Sequence, residues 1–282
     1  MDTPKHQICK SCANEFSGVY CNQCGEKVIT PDDRSFQAIL SNFFVFSSLA
    51  DIKLVKSLWL IISNPGFLSK EYTEGRRVKY LRPLQIFFIL NLIYFLFPVL
   101  QLFNSSFRTQ MYYLFHSDWV QNIVIKRLSS DNISLAGFEM LYNDQTTGLA
   151  KLLVFIFVFV ASLPLSVIFL KKNRYFADHV TLSVELACFN FFINAIVLSV
   201  LLWMGNSLLN LTDTGWGSHL NDTNLTIVFV ITNMYFLFRA ARTFYGQKGK
   251  RLIVKTVIGI MGLFLALEVY RLILFFVTFW AV

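Results

Sequence analysis

The residues best suited to chemistry are four cysteines near the start of the chain. They form two Cys-x-x-Cys pairs, Cys9 with Cys12 and Cys21 with Cys24, and eight residues separate the pairs. Each pair can offer two thiolates to one tetrahedral metal ion, and this spacing is typical of structural zinc sites. Four protein ligands close the coordination sphere to water and substrate, so the predicted zinc is structural and not catalytic.

Residues 1–30 are therefore predicted to fold as a zinc ribbon, which is too short to build a core without the metal. Gly18 can relax the turn between the two pairs, and Gly25 can supply a positive φ directly after the last ligand. The alternative chemistry is a pair of disulfides. The region lacks the apolar run of a secretory signal peptide, which predicts a cytoplasmic location where thiols stay reduced.

The ribbon can dock another molecule, or it can simply hold its own fold. Lys5, Lys10 and Lys27 are too few to make a convincing nucleic-acid surface, so nucleic acid is disfavoured as a partner. We expect instead a cytoplasmic or membrane protein that binds through the ribbon. The sequence leaves the oligomeric state open.

The remainder of the chain has the composition of a membrane protein. Hydrophobic residues make up 55% of the sequence, charged residues only 15%, and 30 residues are phenylalanine. Average soluble domains are about 45–50% apolar and about 25% charged. Lipid is therefore the expected solvent, and the predicted fold class is all-α: a polytopic transmembrane helical bundle of about five spans, with interfacial helices and the small N-terminal ribbon.

Four apolar runs are long enough to cross about 30 Å of hydrocarbon as helices, and a shorter fifth run ends in arginines. The five predicted spans cover residues 84–103, 152–170, 182–204, 225–241 and 256–282. Lys and Arg concentrate on alternate flanks of these runs, which places the N-terminus in the cytoplasm and the C-terminus outside. The bundle domain is then 84–282, with an external loop at 104–150 that holds a helix around 111–128.

Residues 31–83 are predicted to form interfacial amphipathic helices and a basic linker. Apolar residues recur at helical spacing within 36–62, while Asp51, Lys53 and Lys56 oppose a membrane crossing there. The basic linker could bind anionic lipid headgroups or could only fix orientation. Its headgroup candidates are Lys70, Arg76, Arg77, Lys79 and Arg82.

Ionisable residues in the third span are weak candidates for a catalytic or transport site. Asp178 and Glu185 are seven residues apart and share a helix face, with His179 one position around it. They could form half of a metal site or a proton relay, or they could be structural anchors. Glu268 and Arg271 can pair within the last span.

Other polar residues in the spans are predicted to be structural. Asn91, Asn190, Asn194 and Asn233 are expected to bond neighbouring helices. Cys188 is expected to act as a small packing residue.

Three short strings at set positions relative to the spans carry a family resemblance. They are Asn64-Pro65-Gly66 with Tyr72, Gly75-Arg76-Arg77, Tyr80 and Pro83; Tyr175-Phe176-Ala177-Asp178-His179-Val180; and Arg242-Thr243-Phe244-Tyr245-Gly246-Gln247. Together with the ribbon, they resemble domain-of-unknown-function family 3667, a family of bacterial membrane proteins, over nearly the whole chain. The resemblance implies an inner-membrane location and carries over no activity.

The third span departs from the pattern of that family. An acidic residue and a histidine commonly open this span and are followed by further histidines a turn or two along the helix. Asp178 and His179 match the opening, whereas Glu185 and Ala187 stand where the later histidines are expected. A metal site built on the family pattern would therefore lack two ligands here.

The function predicted from the sequence is a non-enzymatic scaffold or lipid-handling bundle in the membrane, with a ribbon that docks a partner. The chain has no glycine-rich phosphate loop, nucleophile elbow or HExxH pair, which disfavours an ATPase, a serine hydrolase or a zincin. The alternative is a transporter or an intramembrane metal-dependent enzyme that uses Asp178, His179 and Glu185.

Overall fold

The protein is described here from a computed structural model, which covers residues 6–28, 52–96, 103–131, 134–170, 174–201, 204 and 222–282. Within these ranges the chain is mostly helical. The helices are α1 (Ile52–Ser63), α2 (Phe67–Glu74), α3 (Pro83–Leu96), α4 (Phe107–Tyr112), α5 (Ser117–Asp131), α6 (Leu135–Ile168), α7 (Phe176–Phe189, continued by a π-helix at Asn190–Val197), α8 (Asp222–Thr243) and α9 (Gly249–Ala281). The predicted all-α bundle is therefore confirmed.

The N-terminal module contains two short strands, β1 (His6–Ile8) and β2 (Glu15–Ser17), which pair in an antiparallel hairpin. Its small core consists of Cys9, Phe16 and Cys21. Gly25 has a φ of 74°, as the sequence predicts directly after the last cysteine, and Gly18, between the two pairs, has a φ of 120°.

Among the described residues, three helices are long and apolar enough to cross a membrane: Leu135–Ile168, Phe176–Leu201 and Gly249–Ala281. They correspond to three of the five predicted spans. Helix α3 is described over 14 residues and α8 over 22. Over its described part, α3 is shorter than the about 20 residues that a membrane crossing needs. Helix α8 is long enough but more polar than α6, α7 and α9. The count of five spans therefore stays a prediction.

Helix α7 is the central element of the bundle. Of its most apolar stretch, 61% is buried inside the protein, against 33% for α6 and 39% for α9. It packs against α1, α2, α3 and α6, so its side chains are better shielded from lipid than those of α6 and α9. Helices α6 and α9 pack tightly where Gly262 faces Pro164, since a Cβ on Gly262 would lie 2.7 Å from the Cβ of Pro164.

The π-helical part of α7 presents asparagines to α8. Asn190 and Asn233 exchange two side-chain hydrogen bonds of 3.0 Å, and Asn194 donates to Asn190 at 2.8 Å. Thr232 of α8 donates to Asn194. These bonds join neighbouring helices in the way predicted for the three asparagines. Asn91 differs, because its Oδ1 is buried and has no hydrogen-bond partner among the described residues.

The two ends of the bundle differ in construction. At the ribbon end, α1 and α2 and the starts of α3, α7 and α9 lie together. At the far end, a separate core is formed by the predicted external loop and the last turns of α9. This far-end core contains Phe107, Met111, Val120, Val124, Phe138, Tyr142, Phe275 and Phe279.

Two predicted segments can be placed on these elements. Residues 52–62 form the amphipathic helix α1, whose Val55 and Trp59 are exposed. The apolar positions at 36–43 lie outside the described residues. The loop 104–150 contains α4, α5 and the first half of α6, so its structure is more extensive than the single helix predicted around 111–128.

Candidate metal centre and buried polar contacts

The four cysteines of the N-terminal module converge on one point. Their Sγ atoms all lie within 4.8 Å of one another, and the four cysteines are free of disulfides. The Cys9–Cys24 and Cys12–Cys21 Sγ separations are 3.4 Å and 3.6 Å. Sulfurs bound at about 2.3 Å around one tetrahedral zinc would be about 3.8 Å apart. The donor set therefore fits a tetrahedral metal ion.

The thiols of this cluster differ in acidity. Burial raises the pKa of Cys21, but hydrogen bonds from the backbone of Cys24 and Gln23 outweigh it and bring the pKa to about 6. A backbone hydrogen bond from Glu26 lowers the pKa of Cys24, whereas burial and the neighbouring thiols raise it, to about 12. A central cation would stabilise the thiolate form of all four side chains.

The carboxylate of Glu26 fastens the ribbon to the linker between α2 and α3. Glu26 is buried and accepts hydrogen bonds from the backbone N–H groups of Arg77, at 3.0 Å, and of Val78, at 3.2 Å. It also accepts a 2.6 Å bond from the hydroxyl of Ser11, which lies inside the first cysteine pair. Lys10 donates to the carbonyl of Glu74. The cysteine-containing loops are thus tied directly to the basic linker.

Several basic residues of this linker have partners within the protein. Arg76 pairs with Glu71 and Glu74, and these carboxylates raise the pKa of its guanidinium. The guanidinium of Arg77 lies 4.3 Å from the ring centre of Tyr72. The Nη1 atom of Arg82 is buried and has no hydrogen-bond partner among the described residues. Arg76 is therefore poorly suited to a headgroup, and the role of the other four candidates stays a prediction.

Glu185 of α7 holds the start of α2. Its side chain is fully buried and accepts hydrogen bonds from Gly66 N at 2.8 Å, Ser69 N at 2.7 Å and Ser69 Oγ at 2.5 Å. A carboxylate at this position satisfies N–H groups that the first turn of a helix leaves unpaired. Glu185 therefore acts as the N-terminal cap of a helix more than 100 residues earlier in the chain.

The turn at Asn64-Pro65-Gly66, to which Glu185 is hydrogen-bonded, packs against α8. Gly66 has a φ of 80°, and a Cβ there would lie 2.9 Å from the Cα of Ala240. Arg239 donates to the carbonyl of Ser63, and Thr243 donates to Oδ1 of Asn64. The Asn64-Pro65-Gly66 string thus occupies the junction of α1, α2, α7 and α8.

Asp178 and His179 are engaged elsewhere. Asp178 accepts a 3.0 Å hydrogen bond from Tyr175 N and so caps its own helix. His179 Nδ1 lies 2.7 Å from the hydroxyl of Tyr245, whose ring stacks on Phe169 at 4.2 Å. The three third-span candidates therefore make three different contacts, and in the described part of the chain it is the cysteines that form a metal-ligating group of three or more.

A second polar cluster lies near the far end. Glu268 pairs with Arg271 at 3.2 Å, as the sequence predicts. His116 approaches Glu268 to 3.9 Å, and Gln110 joins His116 to the backbone of Arg271. Oε2 of Glu268 and Nε of Arg271 are buried without hydrogen-bond partners among the described residues. Sequence reasoning missed His116 and Gln110, because a lone histidine in a predicted loop carries no periodic or motif signal.

The fold and the cysteine site define the class of the protein: a helical bundle with spans of membrane-crossing length and a four-thiol module at one end. A family model described as "Protein of unknown function (DUF3667)" matches residues 51–95. This match confirms the family that the sequence resembles, over the segment that contains α1, α2, the linker and α3. Neither a curated protein nor a solved structure matches the chain. The family description names no activity.

Proposed function

We propose that the protein is a non-enzymatic membrane scaffold or lipid-handling bundle, whose ribbon holds one structural zinc and docks a cytoplasmic or membrane protein. The observation that carries the proposal is the engagement of Glu185. A proton carrier or metal ligand needs lone pairs open to its ligand, whereas three hydrogen bonds from residues 66–69 occupy most of the acceptor capacity of this carboxylate. Asp178 and His179 are also committed to structural contacts.

Zinc is proposed as the metal because four cysteine thiolates at this spacing suit it best. Cys9, Cys12, Cys21 and Cys24 would hold the ion, which would supply folding free energy to the module and no chemistry. The ribbon then presents Ile8, Val19 and Tyr20, all exposed, to a protein partner.

The proposed orientation places the ribbon in the cytoplasm and the C-terminus outside the inner membrane. The arrangement of charges supports it, since basic residues at the end of α8 and the start of α9 lie on the ribbon side of the bundle. On that side the linker residues Lys70, Arg77 and Lys79 can contact anionic headgroups.

Metal analysis of the detergent-purified protein tests the choice between scaffold and metal-dependent alternative. Wild type is compared with Cys9→Ser/Cys12→Ser, with Glu185→Gln and with His179→Asn. We expect one zinc per chain, lost only in the cysteine variant. A second metal that disappears with Glu185 or His179 would overturn the scaffold and favour a transporter or intramembrane metalloenzyme.

The docking role is tested by cross-linking in cells, with recovery of a stable partner from wild type but not from a variant of Ile8, Val19 and Tyr20 changed to Ser. The variant must keep its zinc, so that the loss is attributable to the surface. Equal recovery from both proteins would exclude this surface as the docking site.

A further inference from the structure

The turn between α4 and α5 exposes an aromatic surface that the proposed function leaves unexplained. Tyr113 and Phe115 are 76% and 86% exposed. Tyr112 before the turn and Trp119 after it are 58% and 50% exposed. Four large aromatic side chains within eight residues form an apolar patch that water would disfavour. Tyr and Trp are enriched where proteins meet the membrane interface.

The position of this turn beside α9 indicates how deep it lies in the membrane. The basic cluster at the start of α9 ends at Lys255. A hydrocarbon layer of about 30 Å beginning there takes about 20 residues, to the region of Phe275, and so includes the paired Glu268 and Arg271. The ring of Phe115 packs edge-on against Phe264, with centroids 6.1 Å apart. At 1.5 Å per residue, Phe264 lies about 14 Å along the helix from Lys255. The tip of the turn is thus level with the acyl chains.

The face of α9 beside this tip points away from the protein. Met261 and Leu265, which flank Phe264 on the helix surface, are 68% and 65% exposed. In a membrane-crossing helix, such a face meets lipid. Because Phe115 continues the same apolar surface, acyl chains are the occupant that suits it.

The other end of α5 fits the headgroup region. Arg127 donates to the carbonyl of Phe279 in the last turns of α9, and its guanidinium lies 5.0 Å from the ring centre of that residue. Lys126 beside it is exposed. Asp118, two residues after the tip, is exposed and stands in the first turn of α5, where the helix dipole favours a carboxylate.

We propose that residues 107–131 form a re-entrant hairpin, which enters the hydrocarbon from the side farther from the ribbon, brings the aromatic turn at 113–116 to about the middle of the bilayer and returns without crossing. The hairpin covers the buried Glu268 with its own His116 and partly shields the pair of Glu268 and Arg271 from lipid. Such shielding is needed because charged groups at membrane depth are costly when they face hydrocarbon. This proposal does not depend on zinc or on the docking role.

Spin-label accessibility tests the hairpin. Phe115→Cys and Lys126→Cys are labelled separately in the full chain and reconstituted into vesicles of phosphatidylcholine and phosphatidylglycerol, and the parent chain, labelled in parallel, gives the background from native cysteines. Apolar oxygen and a water-soluble nickel complex then compete as relaxation agents. We expect a higher oxygen-to-nickel ratio at position 115 than at 126.

Equal ratios at the two positions, or a higher ratio at 126, would overturn the proposal. Tyr113→Cys provides a second tip position, so that a local disturbance at 115 can be recognised. A reconstituted protein whose helix content matches the parent by circular dichroism shows that the labelled variants are folded.

Discussion

At the scale of single residues, the start of helix α2 depends on Gly66 and on the distant carboxylate of Glu185. Helix α2 is preceded by Gly66, whose positive φ and close approach to Ala240 exclude a side chain, so this N-cap position cannot supply a side-chain cap. The cap is supplied instead by a carboxylate from α7. This explains why an acidic side chain is tolerated at the centre of an apolar bundle, since its oxygens are satisfied by N–H and O–H donors.

Replacing the carboxylate should weaken the bundle. In Glu185→Gln, one acceptor oxygen is exchanged for an NH₂ group that faces donors, and the stability is expected to fall by about 1–3 kcal/mol. Thermal unfolding in detergent measures the change as a lower Tm. Glu139→Gln, at a partly exposed site near the start of α6, is the control and should leave the Tm nearly unchanged. Equal Tm values for both variants would contradict the capping role.

A methyl group added at Gly66 should lower the stability of the protein more than one added at an open glycine position. Gly66→Ala combines a positive φ with a Cβ contact of 2.9 Å to the backbone of Ala240. Backbone strain of this kind costs about 1–3 kcal/mol. Gly148→Ala is the matched control, because a Cβ there has nothing within 4 Å and alanine favours a helix interior. If both variants unfold at the same temperature, the turn is not tightly enclosed.

The limits of sequence reasoning are clearest at this scale. Cys-x-x-Cys spacing predicts the thiol cluster because its ligands are local in sequence. Glu185 is recognisable as unusual, but its partners lie 116 and 119 residues earlier, and no periodicity reports such a contact. Nothing in the sequence indicates the contact of His116 with Glu268, which forms only when α5 packs against α9.

Among the elements, the ribbon and the α2–α3 linker form one connected unit. Glu26 follows the last cysteine by two residues, so the metal-ligand loop sets its position. Its carboxylate then fixes the backbone of Arg77 and Val78 just before α3. A partner that pulls on the ribbon would therefore act on the linker as well.

Removal of this contact should free the linker without emptying the metal site. In Glu26→Ala, the amide hydrogens of Arg77 and Val78 lose their acceptor, and we expect their hydrogen exchange to accelerate while one zinc per chain is retained. Glu15→Ala, on the exposed side of β2, serves as control. Unchanged exchange at both amides in Glu26→Ala would show that the ribbon is not held by this carboxylate.

The elements themselves were largely predictable. Long apolar runs predicted α6, α7 and α9, because a helix of that composition has few alternatives in lipid. The helical structure of 107–131 was underestimated, since its polar and apolar residues mix without a strong period. The asparagine bonds between α7 and α8 followed from residue type, but the π-helix that aligns them has no sequence signature that we recognise.

For the whole molecule, the ribbon and the bundle should differ in their dependence on metal. The ribbon has a core of three side chains, whereas the bundle has an extensive buried core. Chelation of the metal is expected to unfold the ribbon, so that trypsin can cleave the backbone after Lys10 and Lys27. Far-UV circular dichroism should meanwhile keep its helical signal.

Two results would contradict this division. Loss of helicity on chelation would mean that the metal supports the bundle, and unchanged trypsin cleavage would mean that the ribbon folds without metal. Cys9→Ser/Cys12→Ser, treated with trypsin but not with chelator, should reproduce the cleavage pattern of the chelated wild type.

The bond between Glu185 and the start of α2 also orders the biosynthesis of the protein. Residues 66–69 leave the ribosome long before residue 185, so α2 must wait uncapped through the synthesis of α3 to α6. The junction of α1, α2 and α7 can close only once the third predicted span has been delivered to the membrane. A nascent chain halted before that point would carry an unfinished ribbon-side surface, with the first turn of α2 still lacking its acceptor.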